Sequence, residues 1–218
     1  QKKQSRLPML AINNKKRLGM AMIVSGPSGA GKTTICQRVR REMNDVAFSI
    51  SCTTRAPRPG EVDGTDYFFI TEDEFKKRIA KGEFVEYAEV FGNYYGTLKC
   101  EVLDRTARGE DVFLDIDIQG AMQVRKAALT DLELARCVEF IFILPPSLEE
   151  LERRLRGRQS DSEEQISKRL AKSTYEISFW KKYDYVLFSN QLDASVCELQ
   201  NLVRALRLAS KRLPEELF

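Results

Sequence analysis

The 218-residue sequence has no histidine. That absence removes Ser-His, Cys-His and histidine-metal chemistries, so any catalysis here proceeds without an imidazole base. Long apolar runs are also missing: none approaches the roughly 20 residues that a membrane helix needs. The five cysteines (Cys36, Cys52, Cys100, Cys137 and Cys197) are odd in number and form no CxxC pair. We therefore expect neither a zinc site nor a disulfide framework, and read them as the reduced thiols of a cytoplasmic protein. One-sided charge is lacking as well, with 35 Lys and Arg against 32 Asp and Glu, mixed along most of the chain. A nucleic-acid binder concentrates basic charge on one face, so no nucleic-acid partner is expected, and no membrane partner either. Acids are absent only from the first 17 residues, where Lys2, Lys3, Arg6, Lys15, Lys16 and Arg17 fall. This stretch lacks the apolar core of a secretory signal and is read as a flexible basic leader, with the folded domain spanning 18–218.

The composition, 43% apolar and 31% charged, is that of a globular protein long enough for one sizeable α/β domain. Four runs are apolar in succession and read as buried strands: Met20–Ser25, Val112–Ile118, Val138–Leu144 and Tyr185–Ser189. Phe48–Ser51 is a candidate fifth. Helical segments between them predict βαβ units and a parallel sheet. Thr71 with Glu74, Ser147 with Glu150 and Ser162 with Gln165 have capping-box spacing, and Gly82 is placed to stop the helix after Thr71. From Tyr67 to Thr97 the alternation breaks into aromatic and β-branched residues around a Gly92-Asn93 turn. This predicts a small, mostly β insertion between the first and second core βα units. The polar stretch Arg153–Arg169 reads as a mobile helix–loop–helix. A final helix from about Leu192 to Lys211 carries leucines and valines at helical spacing, as a helix docked on the domain would.

The strongest local signal is GPSGAGKT, composed of Gly26, Pro27, Ser28, Gly29, Ala30, Gly31, Lys32 and Thr33 and followed by Thr34. It matches GxxxxGK[ST], follows an apolar strand and opens a helix, the context a phosphate-binding P-loop requires. The glycines let backbone amides turn toward a phosphate, and the helix N-terminus adds partial positive charge. Lys32 is expected to reach the β- and γ-phosphates of ATP, and Thr33 to ligate Mg²⁺. Asp115 and Asp117 end a neighbouring apolar strand. Their i, i+2 spacing predicts one shared face, with a carboxylate placed to hold Mg²⁺. DIQG (Asp117–Gly120) matches a GTPase switch, but no NKxD guanine-reading motif follows, since the sole Asn-Lys pair is Asn14-Lys15.

SCTTRAPRPGEVDGTDYFF (51–69), FVEYAEVFGNYYGT (84–97) and VFLDIDIQG (112–120) accompany the P-loop. Together these four motifs resemble the guanylate kinase family, over about residues 20–209. The chemistry of the residues is consistent with it. Two guanidinium forks, Arg55 and Arg58, suit a dianionic phosphate, with Tyr67 and Tyr95 adding phenolic hydrogen bonds. Glu86 can accept from both N1–H and N2–H₂ of guanine, and Ser51 and Thr97 offer hydroxyls. Taken singly, these arginines read as loop charges, the tyrosines as packing aromatics and Glu86 as a surface strand residue; their joint arrival is what points to a site.

The resemblance implies an α/β fold: a parallel-sheet P-loop core (18–50, 98–152 and 170–218), a GMP-binding subdomain (51–97) and a helical lid (153–169). It implies phosphoryl transfer from Mg-ATP to GMP or dGMP. It assigns Ser51, Arg55, Arg58, Tyr67, Glu86, Tyr95, Thr97, Asp115 and Asp117 to GMP and the P-loop residues to ATP. Thr33 and Asp115 would hold the metal, and Lys32, Arg55, Arg154, Arg158 and Arg169 would serve catalysis. Cys52 and Thr97 stand where serine is common in the family. Ser189 stands where many relatives have an asparagine near the ATP base, with Asn190 one residue later. Scaffold proteins with a guanylate-kinase-like domain typically lose the P-loop lysine or the GMP contacts, whereas here both sets remain.

Overall fold

The computed structural model describes residues 17–157 and 162–213. The leader up to residue 16 and the lid residue Arg158 lie outside the described residues. In chain order the elements are β1 (Ala21–Ser25), α1 (Lys32–Glu42), β2 (Val46–Phe48), β3 (Cys52–Thr53), β4 (Phe68–Phe69) and α2 (Glu72–Ala80). Then come β5 (Phe84–Val90), β6 (Asn93–Leu98), α3 (Lys99–Ala107), β7 (Asp111–Asp115), α4 (Ile118–Ala128) and α5 (Leu132–Cys137). The chain continues with β8 (Val138–Leu144), α6 (Leu148–Arg156), α7 (Glu163–Ile177), β9 (Tyr185–Phe188) and α8 (Leu192–Leu206).

β1 is central in a five-stranded parallel sheet of order β2-β7-β1-β8-β9. Its side chains alternate between two helical layers, which is why the strand is apolar at successive positions. Met20, Met22 and Val24 pack with Ile35 and Val39 of α1 and with Leu199 and Val203 of α8. Ala21 and Ile23 face the other way, onto a cluster including Val102 of α3, Val124 of α4 and Leu134 of α5. Each large apolar side chain buried this way contributes about 1.5–3 kcal/mol.

Several boundaries differ from the sequence expectation for local reasons. The edge strand is Val46–Phe48, not 48–51. After Ser49 N donates to Phe113 O (2.9 Å) the chain leaves the sheet toward the insertion, which follows β2 in the chain. β7 stops at Asp115, and Asp117 is the N-cap of α4, its carboxylate accepting from Gly120 N at 2.8 Å. The two acids are thus not an alternating strand pair. Thr71, Ser147 and Ser162 cap α2, α6 and α7, and only Ser162 closes a full reciprocal box with Gln165. Gly82 follows α2 with φ 66°.

The insertion is a second sheet of order β4-β3-β6-β5, with α2 packed against it. Phe75 of α2 is its anchor, fully buried and stacked on Phe84 (centroids 4.3 Å apart) and Tyr94 (5.3 Å). Its hairpin turn is Phe91-Gly92, both left-handed (φ 50° and 75°), one residue earlier than the Gly92-Asn93 read from the sequence. Arg17, read as part of the leader, belongs to the fold. It is 6% exposed and donates twice to the fully buried Asp111 (2.8 and 2.7 Å). In α6 the inward leucines are Leu151 and Leu155, while Leu148, grouped with them by spacing, is half exposed.

Candidate active site

The phosphate loop occupies the turn from β1 into α1, at the C-terminal edge of the sheet, where doubly wound folds place their ligands. Gly26 has φ 151°, and a Cβ there would lie 2.1 Å from Ile143 O of the adjacent strand. Only glycine fits that close approach. Gly31 (φ 85°) is the N-cap of α1 and offers no side-chain cap, so the first amides of the helix remain donors for an anion. Lys32 folds back along the loop, its Nζ donating to Gly26 O at 2.9 Å. Thr33 Oγ1 donates to Asp115 Oδ2 at 2.7 Å, which joins the loop to the end of β7. Cys36, one turn into α1, is buried, and burial together with the Asp115 carboxylate pushes its thiol pKa up, so it is packing rather than a nucleophile.

Opposite the loop lies the insertion, across a cleft of about 770 Å³ whose walls include Thr33, Asp115, Ser51 and Tyr67. One end of the insertion's contribution is an oxygen-lined pocket. Glu86 pairs with Thr97 across β5 and β6, which sets its carboxylate beside the Thr97 hydroxyl and N–H. Ser51 Oγ and Thr97 Oγ1 are 3.1 Å apart. Glu86 is only 7% exposed. Burial, reinforced by the nearby Asp117 carboxylate, raises its pKa against the opposing pull of the Thr97 hydroxyl and N–H dipoles. Gly120 completes the wall, for a Cβ there would come 3.0 Å from Glu86 Oε2.

The other end is cationic and aromatic. The Arg55 guanidinium lies over the rings of Tyr67 and Phe69 (5.5 and 5.9 Å), and Tyr67 meets Tyr95 edge-on at 6.1 Å. Arg55 also makes a two-pronged pair with Glu61 (3.0 and 2.9 Å), which, with the Tyr95 phenol nearby, raises its pKa further. Arg58 is exposed on the same loop, its backbone N donating to Glu61 Oε2 at 2.7 Å. Glu61 is a participant that the sequence reading passed over, as is Gly120. The signal for Glu61 was the Pro59-Gly60 turn, which returns the chain toward both arginines.

The lid residues are spread out. Leu151 and Leu155 seat α6 against the phosphate loop, within 3.1–3.2 Å of where a Cβ on Gly29 would be. From that helix Arg154 reaches the loop after β9, donating to Ser189 Oγ (2.9 Å) and Ser189 O (2.7 Å), and its Nε donates to Glu150 (2.8 Å). Arg153 and Arg154 together hold the Glu150 carboxyl down at about 2. Arg169 is carried on α7. A small cavity of about 220 Å³ separates Arg154, Ser189 and Asn190 from Gly29 and Gly31.

The guanylate kinase family model matches residues 19–206. A guanylate kinase of Cereibacter sphaeroides is 49% identical over 199 residues, covering 91% of this chain and 92% of that one. A guanylate kinase of Carboxydothermus hydrogenoformans is 47% identical, with 89% and 92% covered. Among solved structures, a guanylate kinase from Anaplasma phagocytophilum superposes with a TM-score of 0.69 at 32% identity, covering 93% of each chain. The chain belongs to the guanylate kinase family.

Proposed function

We propose that the protein transfers the γ-phosphoryl group of Mg-ATP to GMP, and to dGMP, giving ADP and the corresponding guanosine diphosphate. The observation that carries this reading is the placement of Glu86. A buried carboxylate beside two hydroxyls lies across the cleft from a phosphate loop, and guanine is the base that presents two adjacent N–H donor groups to such an acceptor. Adenine and uracil lack that edge. A carboxylate must be ionised to accept from both, so guanine binding offsets the cost of charging Glu86 in its buried position.

In this reading Arg55 and Arg58, with the Tyr67 and Tyr95 hydroxyls, hold the GMP phosphate, and Lys32 with the loop amides holds the ATP phosphates. Asp117 caps α4 beside Glu86 and has a supporting place there. Asp115 faces the donor side through Thr33. A hydroxyl and a carboxylate are hard oxygen donors of the kind Mg²⁺ accepts while it keeps waters and binds substrate phosphate. Thr33 and Asp115 would therefore hold that ion, which would supply charge neutralisation between the phosphates. The cavity between Arg154, Ser189 and the phosphate loop is the place for the adenine ring.

No histidine is required. The attacking oxygen belongs to a phosphate monoester whose second pKa is about 6, so it is already ionised at neutral pH. Catalysis is then positioning and charge stabilisation, with Arg154, Arg158 and Arg169 brought over the transferring group when the lid closes. Closure also keeps water from ATP. A cytoplasmic location is part of the reading, supported by five cysteines that all lack a disulfide partner. Among the described residues no helix is long and apolar enough to cross a membrane.

A coupled ADP-release assay with Mg-ATP and GMP, dGMP, AMP, CMP, UMP or dTMP tests the proposal. Turnover confined to GMP and dGMP is expected. Comparable turnover with AMP, or GMP binding without turnover of any acceptor, would sink it.

A further inference from the structure

Glu61 is an acid placed inside a site meant for an anion. Coulomb's law alone disfavours that placement, since a carboxylate near the arginines repels an incoming phosphate. The backbone nevertheless brings it there. Pro59 and Gly60 (φ 90°) form a tight turn closed by Glu61 N donating to Arg58 O at 3.0 Å. The turn folds the Glu61 side chain back over its own loop. There Oε1 accepts from Arg55 Nη2 (2.9 Å), and Oε2 accepts from both Arg55 Nη1 (3.0 Å) and Arg58 N (2.7 Å). Arg55 Nη1 also donates to Ala56 O at 2.7 Å. Three of the donor contacts of Arg55 are thereby spent on the loop, while its plane is backed by Tyr67 and Phe69. What is left for a ligand is one edge of a guanidinium that no longer rotates. Arg58 is different: only its backbone is held, and its exposed side chain makes no hydrogen bond or ion pair to the described residues.

We propose that Glu61 is a positioning residue, one carboxylate that fixes the side chain of Arg55 and the backbone of Arg58 so that the acceptor-phosphate grip exists before the nucleotide arrives. A free arginine carries several rotatable bonds whose freedom must be lost on binding, and preorganising it improves affinity by removing that loss. The grip acts on a phosphate present in both ground and transition states. Loss of Glu61 is therefore loss of uniform binding, seen in KM and not in kcat. The inference rests on the assignment of Arg55 and Arg58 to the GMP phosphate.

The test compares wild type with Glu61→Ala and Glu61→Gln. The measurements are kcat, KM for GMP and for ATP, and calorimetric affinities for GMP and for guanosine, which has the base but no phosphate. Glu61→Ala is expected to raise the GMP KM about 10- to 30-fold, with kcat and the ATP KM within about twofold. Guanosine affinity should not change. Glu61→Gln keeps acceptor oxygen for one prong and for Arg58 N, and should fall between the two. A tighter GMP affinity in either variant would mean that the acid acts only through its charge, and would overturn the proposal. Unchanged GMP affinity, or equal losses for GMP and guanosine, would overturn it too. Failure of the underlying reading looks different, because wild type itself would then bind guanosine and GMP equally well.

Discussion

Gly120, in the first turn of α4, meets the Glu86 carboxylate so closely that a Cβ on it would lie 3.0 Å from Oε2. The same glycine donates its N–H to the Asp117 cap at 2.8 Å, so one residue takes the capping bond of α4 and limits the space around the Glu86 carboxylate. Gly120→Ala should therefore displace Glu86 by a few tenths of an ångström. We expect the GMP KM to rise about 10-fold, the equivalent of about 1.4 kcal/mol, while the ATP KM stays unchanged. Steady-state kinetics with each substrate varied in turn checks this; an ATP effect of equal size would remove Gly120 from the pocket.

Burial raises the Glu86 pKa above its ordinary value, 4.5. A carboxyl whose folded pKa is raised binds its proton more tightly in the native state, so stability falls as pH rises from the ordinary value through the raised one. Glu86→Gln removes that penalty. The variant should melt higher than wild type at neutral pH, and the difference should disappear below about pH 4.5, where wild type is also uncharged there. Thermal melts across this range check it, and a constant difference at all pH values would contradict the assignment.

Asp111 is fully buried and accepts from Arg17, from Arg207 (2.7 Å) and from Met20 N (3.1 Å). Asp111→Asn leaves two guanidinium groups facing a neutral partner at the N-terminal edge of the sheet, away from the phosphate loop. Breaking a buried charge pair from one side costs about 3–5 kcal/mol. A fall in urea midpoint with unaltered GMP and ATP KM is expected.

Of the five thiols, Cys100 and Cys197 are exposed and Cys36, Cys52 and Cys137 are buried. Burial pushes Cys52 up to about 11 and Cys36 and Cys137 upward as well. A disulfide reagent at neutral pH should label two cysteines rapidly in the native protein and five after denaturation. Rapid native labelling of Cys36 would mean that the phosphate loop opens far more than its packing allows.

The parallel core was legible because buried strands announce themselves as unbroken apolar runs: Val138–Leu144 was read to the residue. Strand ends were less so. Asp117 looks like strand continuation by alternation, yet its short side chain binds Gly120 N and starts a helix, a local competition that a periodicity count does not weigh. Arg17 reads as tail because its partner, Asp111, is distant in sequence. In the site, Lys32 and Thr33 follow from a local motif and need no tertiary knowledge. Glu86, Arg55 and Tyr95 were legible only through family resemblance, since strand pairing and loop closure bring them into position. Gly120 escaped notice because what matters is the atom it lacks, and that shows only beside Glu86.

The most direct test of the central claim, that Glu86 reads guanine on a phosphoryl-transfer enzyme, is a pair of measurements on wild type and Glu86→Gln: kcat/KM for GMP in the coupled assay, and equilibrium affinity for ATP. Losing the ionised acceptor should cut kcat/KM for GMP on the order of 10²- to 10³-fold, as expected for two charge-assisted hydrogen bonds. ATP affinity should stay within about twofold, because Lys32, Thr33 and the loop amides are untouched. Near-wild-type GMP turnover by the variant, or a parallel loss of ATP affinity, would contradict the account.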